Sequence, residues 1–368
     1  MSKHLAKYLH QQMDKEAGIT HSQKRTKIVA TVGPACEAPE KLLELARAGA
    51  NVFRLNFSHG TQDNKKEIIE RIRTINKSQP YNIAILADLQ GPKLRVGELE
   101  NGEIELVEGN DLIMTTEKMT GNQSKVYVSY PHLTKDVKVD ERIFLDDGKM
   151  EVKVKKILND KEILVSITLG GQLLQKKGVN LPDSELTMPP MTEKDFADLD
   201  FIIEQNLDWV ALSFVRKPKD IIELKKIIKK RNSKIKVIAK IEMPEALKNI
   251  RDIIVESDGI MVARGDLGVE LPVEQVPIIQ KEVIRKCMHR AKPVIVATQM
   301  MESMMDRTKP NRSEVTDVAN AVLEGADAVM LSGETAMGEY PTLVVETMSK
   351  IIMEVENNVY DYNRDDIL

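Results

Sequence analysis

Residues 84–95 read AILADLQGPKLR. A short apolar run ends in Asp88, breaks at Gly91-Pro92, and is followed at once by Lys93 and Arg95. Two readings are open: a strand that surfaces into a solvated loop, or a strand end that carries an acid to an anion site in which Lys93 supplies positive charge. The segment decides the fold because seven others resemble it, while the sequence that follows it does not. The seven are KIVATVG from Lys27, NVFRLNFS from Asn51, DWVALSFV from Asp208, KVIAKIE from Lys236, GIMVARGD from Gly259, KPVIVATQ from Lys292 and DAVMLSGE from Asp327. Each is short, β-branched or apolar and nearly continuous, as expected of strands buried on both faces.

Between most of these runs lie helix-like stretches. EKLLELARAGA places Leu42, Leu45 and Ala46 on one face, and DIIELKKIIKKRN does the same with Ile221, Leu224, Ile227 and Ile228. Strand alternating with helix is the signature of a parallel α/β sheet. Eight such units favour a closed (β/α)8 TIM barrel over an open sheet.

One interval breaks the rhythm. From Gly91 to about Pro189 the sequence reads as short strands: GEIELVE, DLIMTT, KVYVSY, RIFLDD, MEVKVKKIL and EILVSITLG. Asn101-Gly102, Gly109-Asn110 and Asp147-Gly148 divide them as turns. This predicts a small all-β, barrel-like domain at 91–187, inserted after the third barrel strand, with the catalytic barrel built from 1–90 and 188–368. An insertion at that end of a barrel strand overlies the catalytic face and can act as a lid. Leu5, Tyr8, Leu9 and Met13 lie at helical spacing and predict a short amphipathic helix within residues 1–20.

Composition narrows the function. In 368 residues, 53 Lys plus Arg face 57 Asp plus Glu, a net charge of -4, and aromatics are only 4%. Neither a basic footprint nor stacking platforms for nucleic acid are expected. No run reaches the ~18 apolar residues of a membrane helix. Cys36 and Cys287 stand far apart with no Cys/His cluster, so neither a disulfide framework nor a zinc site is expected, and a reducing cytoplasm fits.

The polar residues of the strand-like runs cluster at their C-terminal ends: Arg54, Asn56, Ser58, Asp88, Ser213, Lys240, Glu242, Arg264, Asp266, Thr298, Gln299, Ser332 and Glu334. In a barrel that rim carries the site. Lys240 and Glu242 are two apart and point the same way on a strand; Asp266 closes the next. Two carboxylates on adjacent strands suit Mg²⁺ or Mn²⁺, and the alternative is a simple Lys240–Glu242 ion pair. In ARGDLGVELP, Gly265 permits close backbone approach and Gly268 is expected to mark a tight turn. A helix starting there would offer free N–H groups to an anion. P-loop, G-x-G-x-x-G, H-R-D and H-E-x-x-H motifs are absent. Ser58-His59 is a poor nucleophile pair, since neighbours in an extended chain face apart.

KIVATVGPA, NVFRLNFSHG, DLQGPKLR, KKGVNLP, IAKIE, MVARGDLGVELP, ATQMMESM and DAVMLSGETA, in order from about Lys27 to the C-terminus, resemble the pyruvate kinase family. The resemblance implies a (β/α)8 barrel with a β-rich lid, and phosphoryl transfer from phosphoenolpyruvate to ADP, giving pyruvate and ATP. It implies that Glu242 and Asp266 hold a divalent metal, Mg²⁺ or Mn²⁺. Lys240 would stabilise charge on the transferring phosphoryl group and the enolate, and Arg54 would grip the phosphate. The Gly265 and Asp266 amides, with Thr298, would bind the substrate carboxylate. Thr298 and Ser332 are the positions linked to protonating the enolate. Asn56, His59, Arg95 and Lys177 would lie near the nucleotide phosphates.

Many family members hold K⁺ with residues corresponding to Asn56, Ser58, Asp88 and the carbonyl of Leu89. They carry glutamate where this sequence has Lys93, as K⁺-independent members do. The expectation is that the Lys93 ammonium replaces K⁺, so that K⁺ is not required; the alternative is a solvated lysine with K⁺ still bound. The family usually continues into a further α/β domain, whereas this sequence ends VENNVYDYNRDDIL soon after the eighth run. A homo-oligomer through the barrel, by way of RTKPNRSEVTDVAN, is expected. Two rival readings stay open: another barrel enzyme that makes an enolate with a Lewis-acid metal, and a non-catalytic metabolite-binding protein.

Overall fold

The computed structural model describes residues 24–362; the helix expected within residues 1–20 lies outside them. Eight parallel strands close into a barrel: β1 (Lys27–Thr31), β2 (Val52–Asn56) and β3 (Ala84–Asp88), then, after the insert, β12 (Trp209–Leu212), β13 (Lys236–Ile241), β14 (Gly259–Ala263), β15 (Val294–Ala297) and β16 (Ala328–Leu331). They are joined in sequence order, and β1 pairs with β16 to close the ring. All eight strand-like runs of the sequence are barrel strands, as expected for a TIM barrel.

The near-continuous apolar runs are explained by two cores. Phe53, Leu55, Ala87, Leu212, Val237, Ala239 and Val262 face outward against the helices. Val29, Leu86, Ala211, Ile238, Met261, Ile295 and Met330 fill the inside of the barrel. A helix of the outer layer, Gln62–Ser78, presents Ile68, Ile69 and Ile72 to the first core and starts at Thr61, whose hydroxyl accepts from Asn64 N. Truncating one of these isoleucines to Ala would cost about 2–5 kcal/mol.

Between β3 and β12 lie β4 (Glu103–Leu106), β5 (Asp111–Thr115), β6 (Lys125–Tyr127), β7 (Arg142–Leu145), β8 (Met150–Ile157), β9 (Glu162–Leu169), β10 (Gly171–Leu174) and β11 (Val179–Asn180). Six form one sheet in the order β11-β7-β8-β9-β5-β6, and β10 pairs with β4 in a separate ladder. The insert has its own core, including Leu112, Met114, Val126, Tyr130, Ile143 and Val165. The strands β10 and β11 and a single helical turn at Leu133–Asp136 were not legible in the sequence, because each is too short to show a period.

Asp195 ties the two ends of the insert together. Its Oδ1 accepts from Gly91 N, 3.1 Å, where the chain leaves the barrel, and its Oδ2 accepts from Thr192 N, 2.8 Å, where the chain returns. Gly91 sits at φ 68°, and a Cβ there would lie 2.7 Å from the Phe214 ring. Both facts require glycine.

Candidate active site at the rim of the barrel

Alternation along each strand builds the site. Residues two apart share a face, so the inward row of β2 runs Val52, Arg54, Asn56, that of β3 runs Leu86, Asp88, and that of β13 runs Ile238, Lys240 and on to Glu242. Each row is apolar at the bottom and charged at the C-terminal rim.

At that rim Asp88 accepts from Arg54 Nε at 2.7 Å through Oδ2 and faces Lys240 Nζ at 3.2 Å through Oδ1. Lys240 Nζ lies 2.8 Å from Glu242 Oε1 and donates to Ser213 Oγ, also at 2.8 Å. Ser213 Oγ in turn donates to the carbonyl of Leu89, 2.8 Å. Glu242 Oε2 accepts from Phe214 N, 2.7 Å, and Arg54 Nη1 donates to Thr31 Oγ1, 3.0 Å. Asp88 and Glu242 are each only 2% exposed at the side chain, so these contacts replace their water.

The electrostatics follow from that burial. For Lys240, burial alone would lower the pKa, but the Asp88 and Glu242 carboxylates outweigh it and hold the ammonium charged well above the ordinary lysine range. Burial opposes ionisation of Asp88 too, yet Lys240 and Arg54 keep its pKa below the usual carboxylate value. Glu242 is raised, first by burial and also by the nearby Asp266 charge. Two cations thus face three carboxylates, Asp88, Glu242 and Asp266. Asp88 is taken up by Arg54 and Lys240, which leaves the carboxylates of Glu242 and Asp266 as the hard oxygen donors that suit a divalent cation. The Lys240–Glu242 ion pair is present alongside this set.

The helix Arg264–Glu270 follows β14 directly and carries Asp266 in its first turn. Gly268 is therefore helical, not the tight turn expected from sequence: the apolar residues Leu267 and Val269 continue the turn across it. Thr298 sits at φ 70° and Gln299 at φ 53°, a left-handed pair that is strained for a β-branched residue. Arg264 spans this turn, donating to the Thr298 carbonyl at 2.8 Å and anchoring itself on Asp317 Oδ1 at 2.7 Å. The strain aims the Thr298 hydroxyl across the rim, where Oγ1 accepts from Gly265 N at 2.6 Å. On the far side, Ser332 N and Met301 N both donate to the buried Glu334 carboxylate.

Three comparisons identify this architecture. The protein-family model for the pyruvate kinase barrel domain matches residues 23–345. The chain belongs to the pyruvate kinase family. A pyruvate kinase of Geobacillus stearothermophilus is 47% identical over 338 residues, covering 91% of this chain and 57% of the relative. One from Staphylococcus aureus is 46% identical over 334 residues, covering 90% of this chain and 57% of the relative. The crystal structure of a pyruvate kinase from Cryptosporidium parvum superposes with a TM-score of 0.89 at 41% identity, covering 91% of this chain and 70% of that one. The chain thus spans somewhat more than half the length of the curated pyruvate kinases it matches.

The family-type site residues fall into three groups. Arg54, Asp88, Lys240 and Glu242 form the buried network, with Gly265, Asp266 and Thr298 beside it. Asn56, Ser58 and exposed His59 follow the end of β2, where Asn56 Oδ1 accepts from Ser58 N at 3.0 Å. Arg95 and Lys177 belong to the insert: Arg95 Nη1 donates to Lys176 O at 2.9 Å and Lys177 pairs with Asp146 at 3.0 Å. Lys93 lines a cavity at the junction of insert and barrel, together with Asp266 and Glu270.

Thr31 and Glu270 had no part in the sequence reading. Thr31 ends the run KIVAT as the other strand ends do, which was its one signal. Glu270 is four residues after Asp266 and so on the same helix face. Among the described residues no group of three or more His, Cys, Asp or Glu side chains is placed to hold a metal, so Glu242 and Asp266 would leave most coordination positions to substrate and water. Cys36 and Cys287 are free and buried, and burial raises their thiols to about 11 and about 12. No helix among the described residues is long and apolar enough to cross a membrane.

Proposed function

We propose that this chain is a pyruvate kinase, transferring the phosphoryl group of phosphoenolpyruvate to ADP. The observation that carries this reading is Lys240, held as a buried ammonium between Asp88 and Glu242 beside Asp266. In the reaction the bond from phosphorus to the enol oxygen breaks, a bond from phosphorus to a β-phosphate oxygen of ADP forms, and the enolate carbon takes a proton to give pyruvate.

Such transfer is positioning and electrostatic stabilisation rather than covalent catalysis. Arg54 grips the phosphoryl oxygens. Lys240 stabilises charge as it passes to the transferring group and the enolate oxygen. Thr298, with the amides of Gly265 and Asp266, binds the carboxylate, and Thr298 and Ser332 lie on the route of the proton to carbon. Asn56 and His59 from the barrel, with Arg95 and Lys177 from the insert, meet the nucleotide phosphates. Glu242 and Asp266 would hold Mg²⁺ or Mn²⁺, which neutralises phosphoryl charge when bound.

The insert, residues 91–187, serves as a lid that excludes water and so strengthens each of these interactions. Lys93 stands in for K⁺. A fixed charge at ~4 Å is worth about 4 kcal/mol at an effective dielectric of 20. Action in the cytoplasm as a homo-oligomer through the barrel completes the reading.

The test is pyruvate formation from phosphoenolpyruvate, ADP and Mg²⁺ in buffer free of K⁺ and NH₄⁺, then with KCl. Full activity without K⁺ is expected. Activity only after KCl keeps the kinase and removes the role of Lys93. Saturable phosphoenolpyruvate binding with no pyruvate in either buffer would replace the kinase by a metabolite-binding protein.

A further inference from the structure

Glu270 is the buried carboxylate that the proposed reaction does not use. It is 5% exposed, and its Oε2 has no hydrogen-bond partner. Its Oε1 accepts from Nδ2 of Asn180 at 2.6 Å. Asn180 is the last residue of β11, the final strand of the insert. Among the described residues this is the one hydrogen bond that joins a side chain of residues 91–187 to a side chain of the barrel. Arg216 holds the chain connections of the insert differently, through the carbonyls of Leu186 and Met188.

Glu270 also lies one turn after Asp266 in the same helix. The cavity lined by Lys93, Asn180, Asp266 and Glu270 is about 30 Å³, room for about one water. Glu270 is thus a buried carboxyl on the barrel whose hydrogen-bond partner is a side chain of the insert. Burial is also the first cause of its raised pKa.

We propose that Asn180 and Glu270 form a latch that holds the insert over the rim, making Glu270 a positioning residue for the lid and for the helix that carries Asp266. The proposal takes the lid role from the proposed function. Unlatched, the insert swings about the segments near Gly91 and Leu186, and Arg95 and Lys177 move away from the barrel rim.

The test places spin labels at Asn101→Cys in the insert and Lys229→Cys on the barrel; both native cysteines are fully buried and stay unlabelled. Distances between the labels are measured without substrates, so the result does not depend on kinase activity. Asn180→Ala and Glu270→Ala should each shift the distribution to longer and broader distances, and the double variant should shift it no further. Glu270→Gln keeps an acceptor for Asn180 and should keep the native distribution. In the pyruvate assay, the two Ala variants should raise KM for ADP roughly tenfold, with Glu270→Gln near wild type. An unchanged distribution in Asn180→Ala, additive shifts in the double variant, or Glu270→Gln behaving like Glu270→Ala would each overturn the latch. Failure of the kinase reading would show instead as absent pyruvate with the distance shifts intact.

Discussion

Lys240 Nζ and Asp88 Oδ1 meet at 3.2 Å across the mouth of the barrel, from strands that are not neighbours. β12 lies between them and contributes no charge at that height, only Ala211 and then Ser213, whose hydroxyl accepts from Lys240. The small side chains of the middle strand let the ammonium and the carboxylate touch. Removing either member leaves the other buried with one counter-charge fewer.

Lys240→Met should abolish most turnover, with kcat down by about 10²–10³-fold or more and KM little changed, as for loss of a group that acts on developing charge. The same change leaves Asp88 and Glu242 without their shared cation, and breaking a buried pair costs about 3–5 kcal/mol. Steady-state kinetics with a urea unfolding curve separate the two effects. A variant with native kcat would remove Lys240 from the chemistry.

Asp88→Asn should destabilise the barrel in a pH-dependent way. The folded-state pKa of Asp88 is below its ordinary 3.8, so its ionisation stabilises the fold fully above that value, and the stabilisation is lost as pH falls through the lower folded value. The gap in unfolding free energy between wild type and Asp88→Asn should therefore be large at pH 6 and shrink by pH 3. A gap that stays constant with pH would mean that the charge of Asp88 is not what stabilises the network.

Glu242→Gln and Asp266→Asn should each weaken divalent binding by about 100-fold or more, since even outer-shell changes at metal sites cost about 10–100-fold. Electron paramagnetic resonance of free Mn²⁺, titrated with protein, reads this directly without turnover. Mn²⁺ affinity equal to wild type in both variants would place the metal elsewhere.

On the proposed role of Lys93, Lys93→Glu should make activity depend on K⁺, with turnover lost in K⁺-free buffer and recovered in KCl. Asp88 and the Leu89 carbonyl, which would face the ion, already have internal partners in Arg54, Lys240 and Ser213. Activity of Lys93→Glu that is indifferent to KCl would remove the substitution of lysine for K⁺.

Much of this molecule is written in its chain order. Eight buried runs, each ending in a polar residue, determine a parallel barrel with a charged rim, because a strand covered on both faces must be apolar until it reaches the edge. The break after Asp88, with its Gly-Pro and the turn-divided strands that follow, determines where the insert enters. Residue types with hard oxygens and cations at the same rim pointed to a divalent-metal and anion site; phosphoryl transfer is implied only by the resemblance of the motifs to the pyruvate kinase family.

What the tertiary structure decided is which of these charges meet. Arg54, Asp88 and Lys240 lie on three strands, and their contact depends on barrel closure and on the small residues of β12, neither of which has a local signal. The left-handed turn at Thr298 is likewise invisible in ATQMM, since its strain is held by Arg264 and Asp317 from other elements. Gly268 read as a turn because glycine usually breaks a helix, but packing of Leu267 at zero exposure carries the helix through it. The bond between Asn180 and Glu270 spans ninety residues and exists only when two separate cores are placed side by side.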